Sequence, residues 1–183
     1  MGISFLVVLG ASILAPPPAP AIDSSIHFER AKLAWSAKKY EEALAEYDAI
    51  LKLTGEDGPV RNNRALCFLV LGQFERALWE AERAIELAPA EGQFRITAAV
   101  IRMTMKPPDL KAAREDLMKS LKHLKRAKDH QGLGNACYNL GVIAQTRHKY
   151  EEASSWYRQA LRHDSSNADA REALRILDPE SGG

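Results

Sequence analysis

Residues 58–91 read GPVRNNRALCFLVLGQFERALWEAERAIELAPAE. Apolar residues recur here at three- and four-residue spacings in two stretches, 58–71 and 74–87, the pattern of amphipathic helices. The break between them carries Gly72, and Pro89 and Gly92 follow the second stretch, as helix stops should. Moving 34 residues towards the N-terminus, Ala31 stands for Ala65, Tyr40 for Phe74, Ala43 for Ala77 and Leu51 for Ile85. Moving 76 residues towards the C-terminus, Phe74 becomes Tyr150, Ala77 becomes Ala153 and Ala84 becomes Ala160. A unit between these falls at residues 92–133, with Ala99 in register and Leu110 and Ala113 displaced by two residues at Lys106-Pro107-Pro108-Asp109. The chain is therefore read as four tandem units, 24–57, 58–91, 92–133 and 134–167, each with two helices, followed by a capping helix and tail at 168–183. Helices are expected at about 24–37, 40–53, 58–71, 74–87, 92–105, 109–128, 132–146, 150–163 and 167–177, the last opened by Asn167 as N-cap.

The rest of the sequence agrees with an all-α protein. Of 183 residues, 46% are hydrophobic and 27% charged, and β-branched runs are scarce. Net charge is only +1, so no global basic field points to nucleic acid, and none is expected as a partner. The charge is uneven: residues 22–91 hold 13 acids and 9 Lys/Arg, whereas residues 92–183 hold 11 acids and 16 Lys/Arg. Two cysteines exclude a disulfide-stapled miniprotein. Lying two units apart, Cys67 and Cys137 are read as small buried hydrophobes.

Residues 1–21 carry no charged side chain. The stretch ISFLVVLGASILA at 3–15, then prolines and Ala19 and Ala21, reads as a secretory leader cut after Ala21, although it lacks a Lys or Arg at its start. It is too short for a comfortable membrane span, which needs about 20 residues. The expectation is a mature chain starting at Ile22, exported to the periplasm or outside the cell, with no stable membrane span. The alternatives are an N-terminal membrane anchor, a cytoplasmic protein, and an apolar arm packed on the protein itself.

The residues Ala65, Phe68, Gly72, Phe74, Ala77, Ala84 and Pro89, with Leu140, Gly141, Tyr150, Ala153, Tyr157 and Ala160 in the last unit, resemble tetratricopeptide repeats. The first unit matches through Ala31, Tyr40, Ala43 and Tyr47, with Ile50 in place of a small residue; the third departs at Ser120. The resemblance implies a right-handed superhelical solenoid of antiparallel helix pairs. Its small residues then mark helix crossings: Ala31, Ala65, Ala99 and Gly141 on the first helices, Ala43, Ala77, Ala113 and Ala153 on the second.

Catalytic chemistry is not legible. His27, His123, His130, His148 and His163 form no metal-ligand spacing. Gly132-Leu133-Gly134 lacks the strand and the last glycine of a dinucleotide fingerprint. Glu41-Glu42 and Glu151-Glu152 are exposed helix starts. Lys119, Lys122, Lys125, Arg126 and Lys128 form a basic helix end, read as a solvated helix terminus. No enzyme activity, cofactor or metal is expected.

The resemblance implies that the first helices line a concave, partner-binding surface. Register then assigns its rows: Trp35, Leu69 and Met103; Lys32, Leu66, Val100 and Val142; Phe28, Asn62, Ile96 and Tyr138; with Val70 beside them. This lining is more apolar than a solvated groove requires. Phe28, Lys32, Gln93 and Thr97 replace residues of the family's basic carboxylate clamp, so that clamp is not expected. The function read from these residues is a non-catalytic scaffold or adaptor binding a peptide or helix of a protein partner, in the export reading for assembly of an envelope complex. The alternatives are an accessory domain for a small apolar ligand or lipid, and a homodimer closed through the groove.

Overall fold

The computed structural model describes residues 22–177, all but the turns helical. The leader expectation falls on residues 1–21 and the end of the tail on 178–183, and both lie outside the described residues. The helices are α1 (Ile22–Ser36), α2 (Tyr40–Thr54), α3 (Gly58–Val70), α4 (Phe74–Leu87), α5 (Gly92–Thr104), α6 (Leu110–Ala127), α7 (His130–Thr146), α8 (Tyr150–His163) and α9 (Ala168–Leu177). They divide into two compact units, α1–α4 and α5–α9, parting between Ala90 and Glu91.

Helix ends follow local chemistry. Asp57, Asp109 and Asp129 cap α3, α6 and α7 by accepting from Val60, Ala112 and Gly132 backbone N–H groups at 2.8, 2.9 and 2.8 Å. The cap on α7 starts that helix at His130, two residues before the expected 132. Asn167 accepts from the Ala170 N–H at 2.8 Å, opening α9 as expected. Gly58 and Gly92 are the first residues of their helices, where the expected ranges begin. At Gly92 a Cβ would lie 2.6 Å from Leu124 Cγ, so glycine permits close approach of α5 and α6.

Three pairs, α1–α2, α3–α4 and α7–α8, turn through one recurring device. Lys38, Gly72 and His148 adopt positive φ (60°, 73° and 58°). In each turn the next residue donates its N–H back five residues: Lys39 to Ala34, Gln73 to Phe68 and Lys149 to Ala144, at 2.8, 2.8 and 3.0 Å. This satisfies a terminal carbonyl of the first helix. The same residues, Lys39, Gln73 and Lys149, serve as N-caps of the second helices without side-chain caps.

The helix-crossing alanines are all fully buried, and Gly141 is buried with them. At Gly141 a Cβ would stand 2.4 Å from Tyr157 Cε1, so the ring occupies the space a side chain would need. In the first unit Phe28, Ala31, Tyr47, Ile50, Val60 and Cys67 form one core cluster. In the second, Cys137, Tyr138, Val142, Tyr157, Ala160 and Ala170 form another, with Leu174 and Leu177 of α9 packed on it. The fold is all-α, built of antiparallel helix pairs.

Candidate functional site

The expected binding lining is not an open apolar strip. Phe28, Asn62, Leu66, Leu69, Ile96, Val100, Tyr138 and Val142 are buried; Lys32, Trp35 and Met103 are half-buried. Val70, at 42%, is the one exposed member of the twelve. Helical periodicity marks the apolar side of a helix but not how completely neighbours cover it. Phe28 belongs to the first core, and Trp35 packs against that core with its ring edge-on to Tyr40, centroids 5.2 Å apart. In the second unit Tyr138 and Val142 are core, Met103 packs against them, and the Tyr138 ring lies 5.7 Å from Tyr157. Lys32 donates to Glu29 at 3.0 Å on its own helix.

Asn62 is buried on α3, and its Oδ1 has no hydrogen-bond partner among the described residues. An unmatched buried acceptor costs about 1–3 kcal/mol. Asn62 Oδ1 is itself covered, so the unmatched acceptor is an internal feature of its unit.

The structure also brings together residues that the sequence reading missed. In α3, Arg61 and Arg64 both donate to Glu80 of α4, at 2.9 and 2.8 Å, and all three side chains are largely buried. Arg64 pairs also with Asp48 of α2, and Arg61 with Glu56 at 2.7 Å. The Arg61 hydrogen bond, reinforced by Arg83, holds the Glu56 carboxyl below the usual carboxylate range. The pairing recurs at the same two places of the repeat. His27 meets Glu46 in the first unit's first pair, and Arg95 approaches Asp116 at 3.9 Å in the α5–α6 pair. Arg102 pairs with the same Asp116. The signal was available: His27, Arg61 and Arg95 are spaced by 34, as are Glu46 and Glu80. In the last repeat Cys137 and Trp156 stand in these two places. Trp79, exposed at 57%, lies under the Arg61 guanidinium, 5.2 Å from the ring centroid.

Both cysteines are free and buried. Burial pushes the Cys67 thiol up to about 12 and the Cys137 thiol up to about 11, so both are un-ionised at neutral pH. Among the described residues no group of three or more His, Cys, Asp or Glu side chains is placed to hold a metal ion. Nor is any described helix long and apolar enough to cross a membrane.

Comparison with known proteins agrees with this geometry. The tetratricopeptide repeat family matches residues 25–92 and, separately, 134–167. Sperm-associated antigen 1 of Mus musculus is 40% identical over 50 residues, 27% of this chain and 6% of that protein. Hsp70-Hsp90 organizing protein 1 of Glycine max is 30% identical over 95 residues, 52% of this chain and 16% of that protein. The chain thus spans a small fraction of these relatives. Among solved structures, MamA of Desulfovibrio magneticus RS-1 superposes with TM-score 0.68 at 15% identity, covering 89% of this chain and 88% of that one. YrrB, described as a TPR protein with an unusual peptide-binding site, gives TM-score 0.65 at 18% identity, covering 83% and 74%. The first TPR of Spaghetti, solved bound to an HSP90 peptide, gives 0.57 at 15%, covering 69% and 94%. At these identities the structural likeness speaks for the fold alone. With both family matches falling on helix pairs that share one turn device and one set of buried small residues, the chain belongs to the tetratricopeptide repeat family.

Proposed function

We propose that this chain is a non-catalytic protein-interaction scaffold whose first helices hold an apolar peptide or helix of a partner. The observation that carries the reading is on the first helices: of the expected lining, Val70 of α3 is exposed, and Lys32, Trp35 and Met103 stay partly accessible. A partner's apolar side chain would cover Val70. Membership of a repeat family with peptide-bound and chaperone-organizing relatives supports the class of partner.

Screening the full chain against an array of short amphipathic and apolar peptides tests this. Val70→Glu should weaken the best binder by about ten-fold while far-UV circular dichroism stays unchanged. Peptides that bind the variant as well as the parent would sink the reading. A lipid seen in a native mass spectrum would favour the small-ligand alternative, and a dimer that survives dilution the homodimer. Export belongs to the same proposal and rests on the apolar stretch at 3–15 and Ala19 and Ala21. A mature chain beginning at Ile22 in protein from its own host is the expected outcome.

A further inference from the structure

Away from the expected rows on the first helices, the second unit holds a cleft of about 420 Å³ between the start of α6 and the end of α7 with the α7–α8 turn. That size falls in the range of ligand sites, about 300–1,000 Å³. Its floor includes Leu140 and Ile143, which belong to the buried apolar face of α7. Four cationic and two acidic side chains line it, a surplus of two positive charges. The pairing within the cleft is incomplete. Glu152 serves both Arg114, at 4.0 Å, and Lys149, at 3.4 Å. Lys111 and Arg147, exposed on different elements, have no side-chain partner among the described residues.

We propose that this cleft docks an acidic segment of a partner protein, with an uncharged side chain between its carboxylates. Glu115 and Glu152 in the lining exclude further negative charge between them, and the cations Lys111 and Arg147 ask for two separated carboxylates. The surplus charge is confined to this half of the chain, where Lys and Arg outnumber acids 16 to 11 over residues 92–183. A membrane surface fits less well, because the recessed lining includes Glu115 and Glu152, which repel a dense anionic layer. A nucleic acid fits less well for the same reason, since its phosphates come at about one charge per 1.7 Å of duplex. The occupant is therefore a polypeptide with few, spaced carboxylates.

The test uses the full chain and a short fluorescein-labelled peptide alternating aspartate and leucine, followed by anisotropy at low and physiological salt. The parent should bind, and more tightly at low salt. Lys111→Glu with Arg147→Glu should weaken binding by about ten-fold or more. Lys38→Glu with Lys52→Glu, the same change of net charge in the other unit, should leave binding within about two-fold. Because a double reversal could perturb folding, Lys111→Ala with Arg147→Ala is measured alongside, with circular dichroism. It should show an intermediate loss at unchanged helicity. Amide chemical-shift changes should fall in the first turn of α6 and the last turn of α7. No binding by the parent, unchanged binding by both cleft variants, or equal binding of an all-aspartate peptide would overturn the proposal. Shifts confined to Val70, Val142 and their neighbours would also overturn it, while supporting the first-helix reading.

Discussion

The repeats at 58–91 and 134–167 share a register but fill it with opposite materials. Where the former places Arg61 and Glu80, the latter has Cys137 and Trp156. Where the former places Ala65 and Ala81, the latter has Gly141 and Tyr157. One helix pair is tied by a buried carboxylate between two guanidiniums, the other by an aromatic ring laid against a bare backbone. The comparison teaches that the fold constrains the register of facing positions, not the chemistry that fills them. A buried ion pair and an apolar pair of similar volume are often interchangeable in stability, although half of either is not.

The largest effect should come from breaking the charged version halfway. Glu80→Ala leaves two largely buried guanidiniums without their shared partner, and stability should fall by about 3 kcal/mol in a urea titration. Their remaining partners, Glu56 and Asp48, keep the loss at the lower end of the range for broken buried pairs. Glu80→Ala melting with the parent would mean that the network contributes nothing and the comparison fails.

The next effect probes the aromatic version. Gly141→Ala should gain up to about 1 kcal/mol of helix propensity. The added carbon must, however, displace a ring now 2.4 Å from where it would stand, in a filled core. Overpacking of this kind costs about 1–3 kcal/mol, so the net change should be a loss of about 1 kcal/mol. Ala65→Gly in the other repeat loses propensity without relieving a clash, and should cost about 1 kcal/mol for that different reason. Combining Gly141→Ala with Tyr157→Ala separates the two causes. In that double mutant the alanine at 141 should become favourable relative to glycine, as denaturant midpoints will show.

The smallest effect lies in the turns. Gly72 takes its positive φ without strain, whereas Lys38 and His148 hold a side chain in the same left-handed conformation. His148→Gly should therefore stabilise the protein by up to about 1 kcal/mol. The loss of its contact with the Tyr150 hydroxyl, 3.0 Å away and exposed, offsets little of this. A lower melting temperature for His148→Gly would place the turn's stability in the side chain instead of the backbone.

The repeat register was open to reading because small residues and aromatics recur at fixed intervals where helices cross. Ala31, Ala65, Ala77 and Ala153 are fully buried for that reason. The turn device was half-visible: Gly72 announces a left-handed residue, but Lys38 and His148 at the same place do not. The His27–Glu46 and Arg61–Glu80 pairs were spaced by 34 in plain sight, and Arg95–Asp116 followed with Asp116 displaced by two. Charged residues at helical spacing read as a solvent face unless something shows that they turn inward. The expected binding lining is more thoroughly covered than its spacing suggests. Trp35 and Phe28 have the spacing of a shared face, and their packing against the first core is a matter of neighbours distant in the chain.

Sequence alone determined the helices, their pairing and the family, because periodicity, caps and interval-34 repetition are local properties of the chain. Tertiary structure alone decided which charges are buried, which apolar residues stay exposed, and where a cleft opens between α6 and α7. Those depend on what each side chain meets across the helix pair, and an amphipathic pattern carries no record of the partner that covers it.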